Sequence, residues 1–299
     1  MLDPLSPLKS GQGKFLTGLV GRDILASRSP WLHEHEADAL GVRLVYSLFD
    51  FAACGWAQDA LPRLLGAAKM AGFAGLNITH PYKQAVIPHL DGLSEGARRI
   101  GAVNTVMFID GQMIGHNTDV TGFAESLQSG LPSAELAHVV QIGAGGAGSA
   151  TSHALLDLGV SELTIFDKDS ERLSALVEKL THDFGGARVR AGGDLIAALA
   201  RADGIVNATP LGMLNYPGSA VPAECLKPNH WVADIVYFPL ETELLRDAKR
   251  RGCRTLDGSG MVVHQAAAAF EIFTDLRADR QRMLKSFIDF VSTPQVKAA

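Results

Sequence analysis

The sequence predicts an α/β protein in two domains, and three observations carry that prediction. Short apolar runs alternate with helical patterns, a glycine-rich turn sits between a buried strand and a helix near the middle, and two long strandless helices close the chain. The strand-like runs are residues 15–20, 44–49, 75–79, 103–108, 138–142 and 162–166, an alternation that predicts βαβ units and a mostly parallel sheet.

Between these runs, residues 29–40, 55–71 and 94–100 carry helix-compatible patterns. The first opens on Ser29-Pro30, a capping residue followed by a proline fitted to the first helical position, so Ser29 is expected to cap. A connecting helix over 119–128, closed by Gly130-Leu131-Pro132, marks the domain seam. The expected division is an N-terminal α/β domain over 1–120, completed by 256–299, and a second domain over 121–255. The terminal helices, 258–274 and 279–291, are expected to return to the first domain and close the cleft between the two.

Composition narrows the function. With 27 Lys and Arg against 32 Asp and Glu, the net charge of −5 offers no footprint for a nucleic acid backbone. The basic cluster of Lys249, Arg250, Arg251 and Arg254 falls where a helix ends and opposes its dipole. Cys54, Cys225 and Cys253 lack ligand or disulfide spacing and read as cytosolic thiols. No leader pattern and no apolar stretch of about 18 residues occurs, so a cytoplasmic location without membrane insertion is expected. His33 and His35 are two apart, the wrong spacing for one helical face, so no metal is expected.

The run Val139-Val140-Gln141-Ile142-Gly143-Ala144-Gly145-Gly146-Ala147-Gly148 places a buried strand before the glycines, and residues 149–158 continue as a helix. Gly143 permits the tight turn, Gly145 admits a pyrophosphate to the backbone, and Gly148 lets helix pack on strand. A second strand ends in Asp167, at the distance from the glycines where an acidic residue meets the adenosine ribose. The second domain is therefore expected to be a Rossmann-type, doubly wound dinucleotide-binding domain. A carboxylate there accepts from both ribose hydroxyls and repels a 2′-phosphate, which predicts NAD over NADP; Lys168 and Arg172 leave NADP open.

Polar constellations interrupt the apolar strands where packing does not need them: Ser27-Arg28-Ser29-Pro30, Asn77-Ile78-Thr79-His80-Pro81-Tyr82-Lys83, Asn104-Thr105 and His116-Asn117-Thr118-Asp119. Further along stand Asn207-Ala208-Thr209-Pro210-Leu211-Gly212-Met213, Asp234-Ile235-Val236-Tyr237 and residues 258–265. In order and spacing this set resembles the shikimate dehydrogenase family from about residue 18 to residue 273. The resemblance implies that Ser27 and Ser29 hold a substrate carboxylate with help from Tyr237. It implies that Asn77, Thr79, Asn104 and Gln265 bind ring hydroxyls, and that Lys83 and Asp119 are the catalytic pair. It also places Asn207, Ala208, Thr209, Pro210, Val236 and Gly258 near the cofactor. Met213 and Met261 fit either the nicotinamide pocket or the core.

Taken alone, Lys83 reads as a surface lysine and Asp119 as an N-cap; their joint occurrence with the other motifs reverses both readings. Hydride removal from a secondary alcohol requires the hydroxyl proton to leave, so a base must reach that oxygen. A lysine does this directly or hands the proton to Asp119. His80 is expected to pack or to donate beside the ring.

Two departures refine the resemblance. Ala26 stands where many members have histidine, and Asp167-Lys168-Asp169 replaces the Asn-Arg-Thr-like phosphate clamp of the NADP-using biosynthetic members. Both, with the Thr79-His80-Pro81-Tyr82-Lys83-Gln84 sequence, resemble the NAD-linked quinate/shikimate branch of quinate catabolism, which implies oxidation of the 3-hydroxyl of shikimate or quinate; a monomer or homodimer is expected. The alternatives are an NADP-using shikimate or aminoshikimate dehydrogenase of aromatic amino acid biosynthesis, and a sensor that binds these acids without turnover.

Overall fold

The computed structural model describes residues 13–292; readings that fall on residues 1–12 and 293–299 lie outside them. The chain forms two compact units, one running to Thr118 and resuming from Ala266, the other spanning Asp119–Gln265. The helix that opens at Asp119 thus belongs wholly to the second unit, and the return crossing falls inside a later helix.

In the first unit, β1 (Lys14–Gly21) leads into α1 (Ser29–Ala39), then β2 (Arg43–Asp50), α2 (Leu61–Met70), β3 (Gly75–Ile78) and the single turn α3 (Tyr82–Ala85). The short β4 (Gly92–Leu93), α4 (Glu95–Ile100), β5 (Thr105–Ile109) and β6 (Gln112–His116) follow. Six strands form one sheet in the order β2-β1-β3-β5-β6-β4. Pairing is parallel across β2-β1-β3 and between β6 and β4, as expected of a mostly parallel sheet, but antiparallel across β3-β5-β6. The cause is a hairpin absent from the sequence reading: Asp110 and Gly111 both take positive φ, 48° and 75°, and make a two-residue turn.

Two further expectations are corrected. The helix expected over 55–71 begins only at Leu61, with Pro62 in its first turn, because Gly55 turns left-handed at φ 64° and a short 3-10 turn intervenes. Ser29 does not cap α1; it is the first helical residue, and the capping position falls on Arg28 without a side-chain bond. The core of this unit gathers Val20, Phe51, Leu61, Leu65, Leu76, Ile78, Tyr82 and Val106.

The second unit opens with α5 (Asp119–Gly130) and continues β7 (His138–Ile142), α6 (Gly146–Asp157), β8 (Glu162–Phe166), α7 (Ser170–Phe184) and β9 (Val189–Ala191). Its second half is α8 (Leu195–Arg201), β10 (Gly204–Asn207), β11 (Trp231–Asp234), α9 (Glu243–Arg250) and β12 (Arg254–Leu256). The sheet is wholly parallel in the order β12-β11-β10-β7-β8-β9, two βαβ halves reversing between β7 and β10. Loops at the carboxyl ends of these two strands flank the switch point, where such folds bind ligand.

Local chemistry explains the helices. Asp169 caps α7 by accepting the Arg172 N–H at 3.0 Å, and Leu173, Leu176 and Leu180 bury one stripe. Helix α10 (Ser259–Thr274) crosses the boundary between the units, and α11 (Arg280–Ser292) returns onto α1 within the first. No helix among the described residues is long and apolar enough to cross a membrane.

Candidate functional site

The glycine turn is built as the spacing required. Gly143 takes φ +109°, and a Cβ there would lie 2.6 Å from the Ala208 carbonyl oxygen. At Gly148 a Cβ would meet the Gly143 oxygen at 2.2 Å, so helix and strand pack as closely as glycine alone allows. Gly145 and Gly146 face open space, which leaves the first turn of α6 accessible to a pyrophosphate. Ala144 is buried and Ala147 half-buried in the same turn.

Beneath it lies Gln141, fully buried in β7. Its Nε2 donates to the Gly143 and Gly148 carbonyls at 2.8 and 2.9 Å, and its Oε1 accepts from Thr151 Oγ1 at 2.8 Å. Sequence reading assigned Gln141 no role; an amide inside a buried strand directly before the glycines was the available signal.

Asp167 directly follows β8 and is bound into the same turn. One carboxylate oxygen accepts the Ala144 N–H at 2.7 Å and the other accepts the Asp169 N–H at 2.9 Å. Burial pushes this carboxyl up, but those two N–H groups, with Arg172 and Lys168 nearby, outweigh it and hold it below the ordinary carboxylate range. Arg172 stands 4.0 Å from Asp167 and 3.2 Å from Asp169, half exposed.

Past β10, Asn207 folds its own loop. Its Nδ2 donates to the Leu211 carbonyl and to Asp234 Oδ1, each at 2.9 Å, while its Oδ1 accepts from the Thr209 N–H and hydroxyl. Asp234 also accepts the Val236 N–H at 3.0 Å and the Thr242 hydroxyl at 2.7 Å. Burial pushes the Asp234 carboxyl up to about 6 despite these bonds, with Asp257 adding to the rise. Gly258 passes so close to this strand end that a Cβ would meet the Ile235 oxygen at 2.3 Å. The structure thereby gathers Asn207, Ala208, Thr209, Val236 and Gly258 at the carboxyl edge of β10 and β11. Pro210, Met213 and Tyr237 are exposed beside them, whereas Met261 packs in the core with Phe123 and Leu127.

Asp119, buried, is the first residue of α5. One turn later Gly122 lets α10 approach, since a Cβ there would lie 2.9 Å from the Gln265 nitrogen, and Glu125 bonds His264 at 2.9 Å. Asp119 and Gln265 are therefore carried on two helices that touch.

In the first unit a continuous polar row links four of the residues named from sequence, Ser27, Ser29, Asn77 and Asn104. Asp50, ending β2, accepts the N–H groups of Asp23, Ile24, Ala52 and Ala53, and Ile24 in turn accepts the Ser27 N–H at 2.8 Å. Burial alone would raise the Asp50 carboxyl; the four N–H groups lower it instead. Ser27 Oγ accepts the Ser29 N–H and donates to Ser29 Oγ, both at 3.2 Å. A side-chain hydrogen bond joins Ser29 to Tyr46, whose hydroxyl donates to Asn77 Oδ1 at 2.8 Å. Asn77 Nδ2 donates to Thr105 Oγ1 at 3.0 Å, Thr105 donates to Asn104 Oδ1 at 3.0 Å, and Asn104 Nδ2 donates to Thr118 Oγ1 at 2.9 Å.

Tyr46, buried in β2 with its hydroxyl far above the ordinary range through desolvation, is the member that sequence reading missed. Its position in an apolar run hid it. Thr79 is fixed through its backbone to Val20 and Tyr82, and the carbonyl of half-buried Lys83 accepts the Val103 N–H at 2.8 Å. His33 is buried against the Tyr46 ring at 4.7 Å, whereas His35 stacks on Trp31 at 4.8 Å. Among the described residues no group of His, Cys, Asp or Glu side chains is arranged to hold a metal ion.

Comparison with known proteins agrees with this architecture. Residues 19–106 match the shikimate dehydrogenase substrate binding domain, and residues 258–286 match the shikimate 5′-dehydrogenase C-terminal domain. A shikimate dehydrogenase (NADP(+)) of Streptomyces avermitilis is 51% identical over 96% of this chain and 99% of its own length. A quinate/shikimate dehydrogenase (NAD(+)) of Corynebacterium efficiens is 50% identical over 91% and 97%. Among solved structures, the quinate dehydrogenase of Corynebacterium glutamicum in complex with NAD superposes with a TM-score of 0.88 at 46% identity, covering 92% of this chain and 99% of that one. With relatives matched at half identity over nearly their whole length, the chain belongs to the shikimate dehydrogenase family.

Proposed function

We propose that this protein is an NAD-dependent quinate/shikimate 3-dehydrogenase, oxidising the 3-hydroxyl of shikimate or quinate reversibly. One observation carries the cofactor choice: the Asp167 carboxylate is held at the end of β8 by the Ala144 N–H and keeps its charge. A carboxylate so placed accepts from ribose hydroxyls and repels a 2′-phosphate. The open glycine turn from Gly143 to Gly148 would hold the pyrophosphate, and Lys168 and Arg172 would stand toward the adenosine end. Bound nicotinamide supplies the hydride acceptor for the alcohol carbon.

The remaining work falls to side chains. Ser27 and Ser29 receive the substrate carboxylate, assisted by Tyr237, and Asn77, Thr79, Asn104 and Gln265 bind ring hydroxyls. Lys83 and Asp119 take the proton of the reacting hydroxyl and return it in the reverse direction, when the ammonium also steadies charge on the ketone oxygen. A second reading, NADP use, is favoured by exposed Arg172, 4.0 Å from Asp167, and by the NADP-named relative.

The test follows NAD and NADP reduction at alkaline pH with shikimate and quinate separately. The proposal expects a higher kcat/KM with NAD; a higher value with NADP installs the second reading, and no turnover with either acid rejects both.

A further inference from the structure

Helix α11 lies antiparallel on α1 and touches it at three levels four residues apart. Arg282 binds the buried Glu36 carboxylate at 2.6 and 2.9 Å, and Glu36 also accepts the Asp279 N–H at 2.8 Å. One turn on, the Trp31 indole N–H donates to Ser286 Oγ at 3.2 Å. A further turn on, Phe290 stacks on Trp31 at 4.9 Å, and the Arg28 guanidinium lies over the Phe290 ring, 4.8 Å from its centroid. His35, Trp31, Phe290 and Arg28 thus form one stacked column.

This column ends at the residue between Ser27 and Ser29. Ser29 is the first residue of α1 and its N–H is bound to Ser27, so the direction of both hydroxyls follows the start of that helix. Covering the core does not account for the column. Met283 and Phe287 do that and are buried, whereas Trp31 is 39% exposed. Such a stack adds stabilisation beyond its burial and restricts the residues it grips.

We infer that the last turn of α11, through Phe290, is a positioning element for the Ser27 and Ser29 hydroxyls and thereby sets affinity for the substrate carboxylate. The inference rests on the reading that these two serines receive that carboxylate. Phe290 itself touches neither the reacting carbon nor the cofactor in this scheme.

The test uses the full chain and compares shikimate with its methyl ester, which presents no carboxylate. Phe290→Ala is expected to raise KM for shikimate about tenfold, the loss of one aromatic pair and one cation–π contact, with kcat within about twofold. KM for NAD and for the ester stays unchanged, and Phe290→Tyr, which keeps the ring, restores the shikimate KM. An unchanged shikimate KM in Phe290→Ala, or an equal rise for acid and ester, overturns the inference. Should Phe290→Ala fold poorly, Phe290→Leu keeps the apolar volume without the stack and is expected to show the same split. Ser27→Ala and Ser29→Ala serve as the control: if neither raises the shikimate KM, the carboxylate reading falls and the inference with it. If both raise it while Phe290→Ala does not, only the inference falls.

Discussion

The Ala144 N–H donates to Asp167 Oδ2 across 2.7 Å, joining the second residue of the glycine turn to the end of the neighbouring strand. The side chain proposed to read the ribose therefore also shapes the turn proposed to hold the pyrophosphate. Asp167→Ala removes a charge-assisted bond that contributes about 1.5–3 kcal/mol, so kcat/KM for NAD should fall about tenfold or more. The NAD to NADP ratio of kcat/KM should fall with it; a ratio left unchanged would falsify the role given to Asp167.

Gln141 is expected to matter through the cofactor although it lies under the turn. Gln141→Leu leaves the Gly143 and Gly148 carbonyls without their buried donor, a cost of about 1–3 kcal/mol. Thermal unfolding should shift down and KM for NAD should rise, while KM for shikimate holds. A variant that loses stability without weakening NAD assigns Gln141 to packing alone.

Lys83→Ala separates an enzyme from a sensor. Loss of the group proposed to handle the hydroxyl proton should lower kcat about a hundredfold or more. Binding of shikimate, followed by calorimetry in the presence of NAD, should persist. Turnover within a few-fold of the parent would show that another group carries the proton.

His33 sets an acid limit. Burial drops its imidazole from 6.5 to about 3, so below the ordinary value the unfolded chain takes up a proton that the folded chain refuses. The unfolded state then binds more protons, and stability falls as pH drops, by about 1.4 kcal/mol per pH unit once well below 6.5. His33→Leu should flatten the dependence of the urea midpoint on pH through this window. Parallel slopes for parent and variant would dismiss His33 as the cause.

Asp234 works in the opposite sense. Its folded carboxyl titrates near 6 against an ordinary 3.8, so the folded chain holds the extra proton and stability is lost as pH rises through about 6. Asp234→Asn keeps an acceptor for Asn207 and Val236 and a donor toward Thr242. It should therefore be relatively more stable at pH 7 than at pH 4 when each is compared with the parent, and unfolding midpoints at the two values decide the point.

The second unit was the more legible in sequence because its signals are local. Strands β7 and β8 begin and end where the apolar runs do, and Gly143, Gly145 and Gly148 act within one turn. The first unit depends on distant partners. Tyr46 reaches Asn77 over 31 positions and Asn104 reaches Thr118 over 14, and neither pairing leaves a periodic trace. The hairpin leaves a local signal in Asp110-Gly111, but Gln112, Gly115 and His116 break the apolar alternation of its second arm. Ser29 shows the reverse: its cap-like position suggests a bond into its own helix, while its hydroxyl bonds Ser27 before the helix and Tyr46 on β2.

That hairpin carries a practical corollary. Its tip at Asp110 and Gly111 is exposed, while its open end holds Asn104 and Thr118 in their mutual bonds. Length added at the tip leaves the ladder in step, so a tag or reporter peptide is accommodated there. Removing a single residue from either arm reverses which face every later side chain occupies, and the asparagine loses its threonine.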